Sequence, residues 1–208
     1  MFKTLMTSRR FAALFWCQFF SALNDNFLKT ALGLLVLYKL GAEHGAALVT
    51  LATAVFMAPF FPLSALGGEI ADKHDKAEVA AKVKLAEIGV ALFASLGFLL
   101  DSVPILFFAL ACYGVIGSLF GPIKYGILPD QLSTEELTAG NALVEGGTFL
   151  AILGGAIAAG YVIGERLSPL VIAVIALSLA VACWLSARMI PATRAGAPDL
   201  AITRNPVA

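Results

Sequence analysis

The sequence predicts an all-α, polytopic membrane protein built on six transmembrane helices, and three observations carry that prediction. Of its 208 residues, 60% are hydrophobic and only 13% charged, and the mean hydropathy of +0.89 lies far above that of a water-soluble domain. The apolar residues gather into six runs, at 11–38, 46–66, 82–100, 103–121, 138–163 and 168–189. Each approaches or exceeds the roughly 20 residues of helix that a bilayer core requires, since a spanning segment must satisfy its own backbone in hydrocarbon. None alternates apolar with polar residues as a membrane β-barrel strand must. Such a composition excludes a soluble enzyme. The 14 Lys and Arg balance 14 Asp and Glu, which leaves no basic surplus for a phosphate backbone, so no nucleic-acid partner is expected.

Taken in order, the first run follows Lys3, Arg9 and Arg10 as the core of a secretory signal would. It is too long for one and carries Asp25 and Lys29, so it is a retained helix. The second contains Pro59 and Pro62, which can bend or end it. In the third, Glu87 is explained by snorkelling or by pairing with Lys84. The fourth holds Gly117 and Gly121 and meets Pro122 at its end. The fifth holds Gly154, Gly155, Gly160 and Gly164, small residues that permit close helix approach. After the sixth, residues 191–208 are rich in Pro, Ala and polar side chains and read as a flexible linker. The expected organisation is a six-helix bundle over 1–190 and a linker over 191–208. Cys17, Cys112 and Cys183 lie inside apolar stretches without metal-ligand spacing, and read as buried small hydrophobes. No metal or cofactor is expected.

Lys and Arg favour the cytoplasmic side of a membrane. With the N-terminus inside, the cytoplasmic stretches hold eleven of them: Lys3, Arg9, Arg10, Lys73, Lys76, Lys82, Lys84, Lys124, Arg188, Arg194 and Arg204. The outer loops hold Lys39 and Arg166, and Lys29 lies within a helix. Both termini are therefore expected in the cytoplasm.

Three groups of residues carry chemistry. The loop after the second run reads GEIADKHDK over 68–76, which places Gly68, Asp72, Lys73 and Lys76 in the pattern G-x-x-x-D-[RK]-x-x-[RK]. Gly68 permits a tight helix exit, Asp72 can cap or pair with a neighbouring helix end, and the two lysines hold the loop at the inner surface. An ordinary positive-inside loop would carry the same charges. In the first helix, Gln18, Ser21, Asp25 and Lys29 fall at spacings of three, four and four, so they share a face, with Asn24 beside them. An ionised side chain near the bilayer centre costs about 2.5–3.5 kcal/mol, so these residues must face protein or a wet cavity. Asp25 and Lys29 can partly neutralise each other, either as an internal lock or along a substrate path. The fifth helix repeats the device with Thr138, Asn141, Glu145 and Thr148. Glu145 has three possible fates: to meet Lys29 across the bundle, to titrate, or to be satisfied by water. A Walker loop, H-E-x-x-H and G-x-S-x-G are all missing, so ATP hydrolysis and the obvious hydrolase chemistries are not expected. Val49 and Val79 stand where an H-x-x-x-x-D motif would need Asp, and His44 and His74 read as loop residues.

The 68–76 pattern resembles the cytoplasmic signature of the major facilitator superfamily. Three stretches, FFSALNDNFLK (19–29), FGPIKYGILPDQ (120–131) and NALVEGGTFLAILGG (141–155), resemble the bacterial lysophospholipid transporters. Some of these form the N-terminal module of a fused acyltransferase and acyl-carrier-protein ligase. The resemblance covers most of the chain and implies the N-terminal six-helix half of a major facilitator superfamily fold in a bacterial inner membrane. It further implies inward movement of lysophosphatidylethanolamine and related lipids for reacylation. The partners it implies are membrane lipids, the lysophospholipid, a C-terminal transporter half, and a fused or adjacent acyltransferase and acyl-ACP ligase. On this reading Asp25 meets the headgroup ammonium and Lys29 the phosphate, Tyr113 lines the path, and Lys124 and Tyr125 form an exit gate near the inner end. Two other readings fit the same residues. One is a proton-coupled exporter of amphipathic drugs that protonates Glu145 or Asp25; the other is a non-transporting membrane anchor for an acyltransferase.

Overall fold

In a computed structural model, described over residues 2–202 apart from the side chains of 40 and 42–44, the chain is helical with short connections. The described residues form α1 (Phe2–Thr7), α2 (Arg9–Met57), α3 (Phe60–Lys73), α4 (Lys76–Leu99), α5 (Val103–Gln131), α6 (Thr134–Gly164) and α7 (Pro169–Arg188). Arg204, counted above among the inner charges, lies outside the described residues.

The long α2 is two helices joined at Gly41, whose φ of 74° and ψ of 171° leave helical space. Glycine takes a positive φ without a Cβ clash, so the chain turns there with no separate loop between the first two apolar runs. Four stretches are long and apolar enough to cross a membrane: Gly45–Lys73, Val103–Gln131, Thr134–Gly164 and Pro169–Arg188. The protein is thus a multi-pass membrane protein. The 9–40 arm of α2 carries Gln18, Asn24, Asp25, Asn26 and Lys29, and α4 carries Lys82, Lys84 and Glu87, which keeps both below that mark.

Helix ends differ from the expectation in a consistent direction. α5 does not stop at Pro122 but continues through Pro122 and Pro129 to Gln131. Proline removes one helical hydrogen bond, a loss that neighbouring helices make tolerable in a membrane bundle. α3 runs to Lys73, so Gly68 lies inside a helix rather than at its exit, and only His74 and Asp75 separate α3 from α4. α4 begins at Lys76 because the Asp75 side chain caps it, accepting from the backbone N–H groups of Ala77 and Glu78. α6 begins at Thr134 on a capping box formed by Ser133 and Glu136.

The 9–40 arm of α2 is the axis of the molecule, packed on α5, α6 and α7, while α4 packs on α5 and α7 and α3 leans on α5. One apolar core includes Phe11, Leu14, Cys17, Phe120, Ile127 and Cys183. A second, toward Gly41, includes Phe27, Leu32, Phe98, Leu110, Tyr113 and Ile172. The closest backbone approaches between helices fall at Gly114 and Gly155. A Cβ on Gly114 would sit 2.2 Å from the Phe56 carbonyl oxygen, and one on Gly155 would sit 2.4 Å from that of Leu23. Gly121, Gly160 and Gly164 have nothing within 4 Å of such a Cβ, so of the four α6 glycines read as packing positions Gly155 makes the close contact, while Gly140 and Gly147 pack on the side chains of Leu132 and Phe15.

Candidate functional site

The polar stripe of α2 opens on a groove of about 310 Å³. Gln18, Ser21, Ala22, Asp25 and Asn26 form one wall, because spacings of three and four stack them on one helix face. Phe56 and Phe60 add aromatic surface, and Gly117, Phe120, Gly121, Lys124 and Tyr125 form the α5 wall. Thr148 and Ile152 of α6 complete it. The groove therefore offers a carboxylate, an ammonium, amides and hydroxyls on two faces, and aromatic and aliphatic surface on the others. Gln18 Nε2 donates to Thr148 Oγ1 at 3.2 Å, and Thr148 donates in turn to the Val144 carbonyl, which ties α2 to α6.

A buried polar layer lies directly behind the Ser21 wall. Lys84 and Glu87 of α4 are both completely buried and form an ion pair at 2.7 Å. The Lys84 ammonium also donates to Ser21 Oγ at 2.7 Å and lies 4.0 Å from the centroid of the Phe120 ring. Asn24 Nδ2 donates to the Tyr113 hydroxyl at 3.2 Å, and both residues are buried. Asn24 Oδ1 and Glu87 Oε1 have no hydrogen-bond partner among the described residues. Lys84 is thus a core residue and not one of the inner-surface charges. Pairing with Glu87, one of the two explanations offered for that carboxylate, is what the structure shows, and snorkelling is ruled out by burial.

The structure separates the predicted site residues. Gln18, Ser21, Asp25, Lys124 and Tyr125 line the groove, while Asn24 and Tyr113 stand behind it. Lys29 lines a neighbouring cleft of about 190 Å³ with Gly33 and Val49. Its ammonium sits 5.5 Å from the centroid of the Phe56 ring. Among the described residues Asp25 forms no ion pair with Lys29, so the expected mutual neutralisation is at most long-range. Glu145 does not reach Lys29: it accepts a hydrogen bond from the Tyr125 hydroxyl, and Lys124 lies over the Tyr125 ring at 4.5 Å. Asn141 is exposed and lines no part of the groove. Asn26, Phe56, Phe60, Phe120 and the Lys84–Glu87 pair were not singled out from the sequence as site residues.

At the other functional cluster, Asp75 takes the capping role expected of Asp72. Its Oδ1 accepts from the Thr193 backbone at 3.1 Å and hydroxyl at 2.9 Å as well as from the two α4 N–H groups. Burial works against its charged form, but these four hydrogen bonds outweigh it and hold the carboxyl below the usual carboxylate range. Asp72 is exposed, and its backbone carbonyl accepts from Ala197 N–H at 2.8 Å. Lys76 pairs with Asp130 at 2.9 Å, and its backbone N–H donates to Thr193 Oγ1 at 2.8 Å. Lys73 is half-buried at the end of α3. The stretch 191–202 is therefore bonded to the 68–76 loop over its first residues. Nearby, Glu136 accepts hydrogen bonds from the Ser133 backbone N–H and from Arg10.

Comparison with known proteins follows the same lines. The family model described as Major Facilitator Superfamily matches residues 14–205. The chain is 31% identical over 193 residues to the lysophospholipid transporter LplT of Yersinia pestis (strain Pestoides F), covering 92% of this chain and 45% of that protein. The same figures hold for LplT of Yersinia pseudotuberculosis serotype O:3 (strain YPIII). The chain spans somewhat under half the length of the curated relatives it matches. A crystal structure of a bacterial homologue of the iron transporter ferroportin in an outward-facing state superposes with a TM-score of 0.66 at 18% identity, over 87% of this chain and 48% of that one.

Proposed function

We propose, from the premise that this chain belongs to the major facilitator superfamily, that it is one six-helix half of a lysophospholipid transporter of the bacterial inner membrane. The observation that carries the proposal is the groove, whose lining combines an acidic and a basic side chain, Asp25 and Lys124, with the aromatic rings of Phe56, Phe60 and Phe120. A lysolipid presents the same order of chemistry: a zwitterionic headgroup and one acyl chain. Asp25 binds the ammonium of a lysophosphatidylethanolamine headgroup, and Lys124, the ammonium that lines the same groove, takes the phosphate role that Lys29 is placed too far aside to fill. Phe56, Phe60 and Ile152 shelter the first methylenes of the chain. Tyr125 and Glu145, joined across α5 and α6, close the groove below Lys124 and open to release the headgroup. A second six-helix half supplies the facing wall, and an acyltransferase and acyl-ACP ligase, fused or adjacent, consume the lipid once it arrives.

The 9–40 arm of α2 and α4 cross the membrane with the four more apolar stretches, their polar residues turned into the bundle, which makes six crossings. Arg9, Arg10, Lys73, Lys76, Lys82 and Arg188 gather at the end of the bundle that holds the 68–76 loop, while Lys39 and Arg166 lie at the other. That asymmetry supports both termini being cytoplasmic. The test is movement of a fluorescent lysophosphatidylethanolamine across proteoliposomes holding the intact transporter. Asp25→Asn, which removes the charge and keeps the shape, slows it about tenfold or more. Unchanged movement would remove Asp25 from the site.

A further inference from the structure

We infer that Ser21, polarised by the buried ammonium of Lys84, donates its hydroxyl to the phosphate of the lipid headgroup and so helps select a phosphate-bearing lipid; this rests on the lipid-transport reading above. An ammonium only donates, so in the 2.7 Å contact Ser21 Oγ is the acceptor. The hydroxyl proton of Ser21 is then left to find an acceptor elsewhere. Ser95, Ser118, Ser186 and Thr148 all return theirs to a carbonyl three or four residues back in their own helices. Among the described residues no acceptor takes that of Ser21, and Ser21 lines the groove. Ser21 is 5% exposed, at the groove wall, and its unspent donor is there for a ligand to take, strengthened by the charge behind it.

Lys84 cannot serve the ligand directly. It is completely buried, and its three N–H directions are occupied by Ser21, by Glu87 Oε2 at 2.7 Å and by the Phe120 face at 4.0 Å. It is a positioning residue that brings part of a positive charge to the groove wall through one hydroxyl. Gln18 and Asn26, the other polar donors on that wall, already give an N–H to Thr148 and to the Ala22 carbonyl. Ser21 and Lys124 thus supply donors from two walls of one groove, with Asp25 one turn along α2 for the opposite charge.

The experiment measures KM and kcat for lysophosphatidylethanolamine in proteoliposomes of the intact transporter. Ser21→Ala raises KM about tenfold, the usual worth of a hydrogen bond to a charged group, with a far smaller change in kcat. Ser21→Thr, which keeps the hydroxyl, recovers most of the affinity. The paired replacement of Lys84→Met with Glu87→Gln leaves no lone buried charge; it raises KM similarly and adds nothing further on top of Ser21→Ala. Inorganic phosphate in millimolar excess leaves transport unchanged, because the apolar wall needs an acyl chain. Losses that add, or a fall in kcat at constant KM, overturn the role of Ser21 and leave lipid transport standing. Competition by inorganic phosphate as strong as by lipid overturns the headgroup assignment. A wild-type protein that moves no lysolipid overturns the transport reading itself, and this inference with it.

Discussion

Two residues on α4 decide how the interior tolerates charge. Lys84 and Glu87 are both fully buried, and removing one partner leaves the other ion uncompensated. Breaking a buried pair in this way costs about 3–5 kcal/mol, whereas an exposed pair is worth about 0–1. Glu87→Ala should therefore lower the detergent-solubilised melting temperature sharply. Glu78→Ala, which breaks the exposed Lys82–Glu78 pair, should leave it nearly unchanged. Equal shifts in the two variants would contradict the buried placement. The same scale decides the glycines. An added methyl at Gly114 collides with the Phe56 carbonyl, while one at Gly160 meets nothing within 4 Å. Gly114→Ala should cost about 1–3 kcal/mol by overpacking and Gly160→Ala close to nothing, checked in the same thermal assay.

At the scale of elements, the boundary between α3 and α4 is a clasp made by Asp75, Thr193 and the end of α4. Losing this cap should cost about 1 kcal/mol and free the 191–202 stretch, seen as faster amide exchange there in Asp75→Ala. Because the folded carboxyl titrates below its unfolded value, its contribution is full above the unfolded value. It is lost as pH falls through the folded one. Acidification should loosen the clasp in the native protein and change nothing further in Asp75→Ala; a matching acid response in the variant would assign it to another group. The helices themselves were legible as apolar runs, and the polar face of α2 was legible from its spacing of three and four. The true ends were not, since they depend on caps such as Asp75 and Ser133 and on prolines that α5 absorbs. Nor was the turn at Gly41, where one positive φ replaces a loop. The pair on α4 had a signal that went unweighed. Ala77, Ala80, Lys84, Glu87, Ala91, Ala94 and Phe98 alternate spacings of three and four, which puts both charges on the packed face.

At the scale of the molecule, the two arms of α2 together with α3, α5 and α6 line one groove, and the polar residues of α2 open onto it. A groove that binds a headgroup must be wet, reachable and shielded by its ligand; a packing seam is none of these. The most direct measurement places a single cysteine at Gly121, where a side chain meets nothing within 4 Å, in an intact transporter whose half-exposed Cys112 has been replaced by Ala. A membrane-impermeant maleimide should label it readily, and lysophosphatidylethanolamine should slow that labelling several-fold. A cysteine in place of Leu153 on the exposed outer face of α6 should show no such protection. Labelling at position 121 that is absent, or that lysolipid leaves untouched, would contradict the groove as the lipid-binding site.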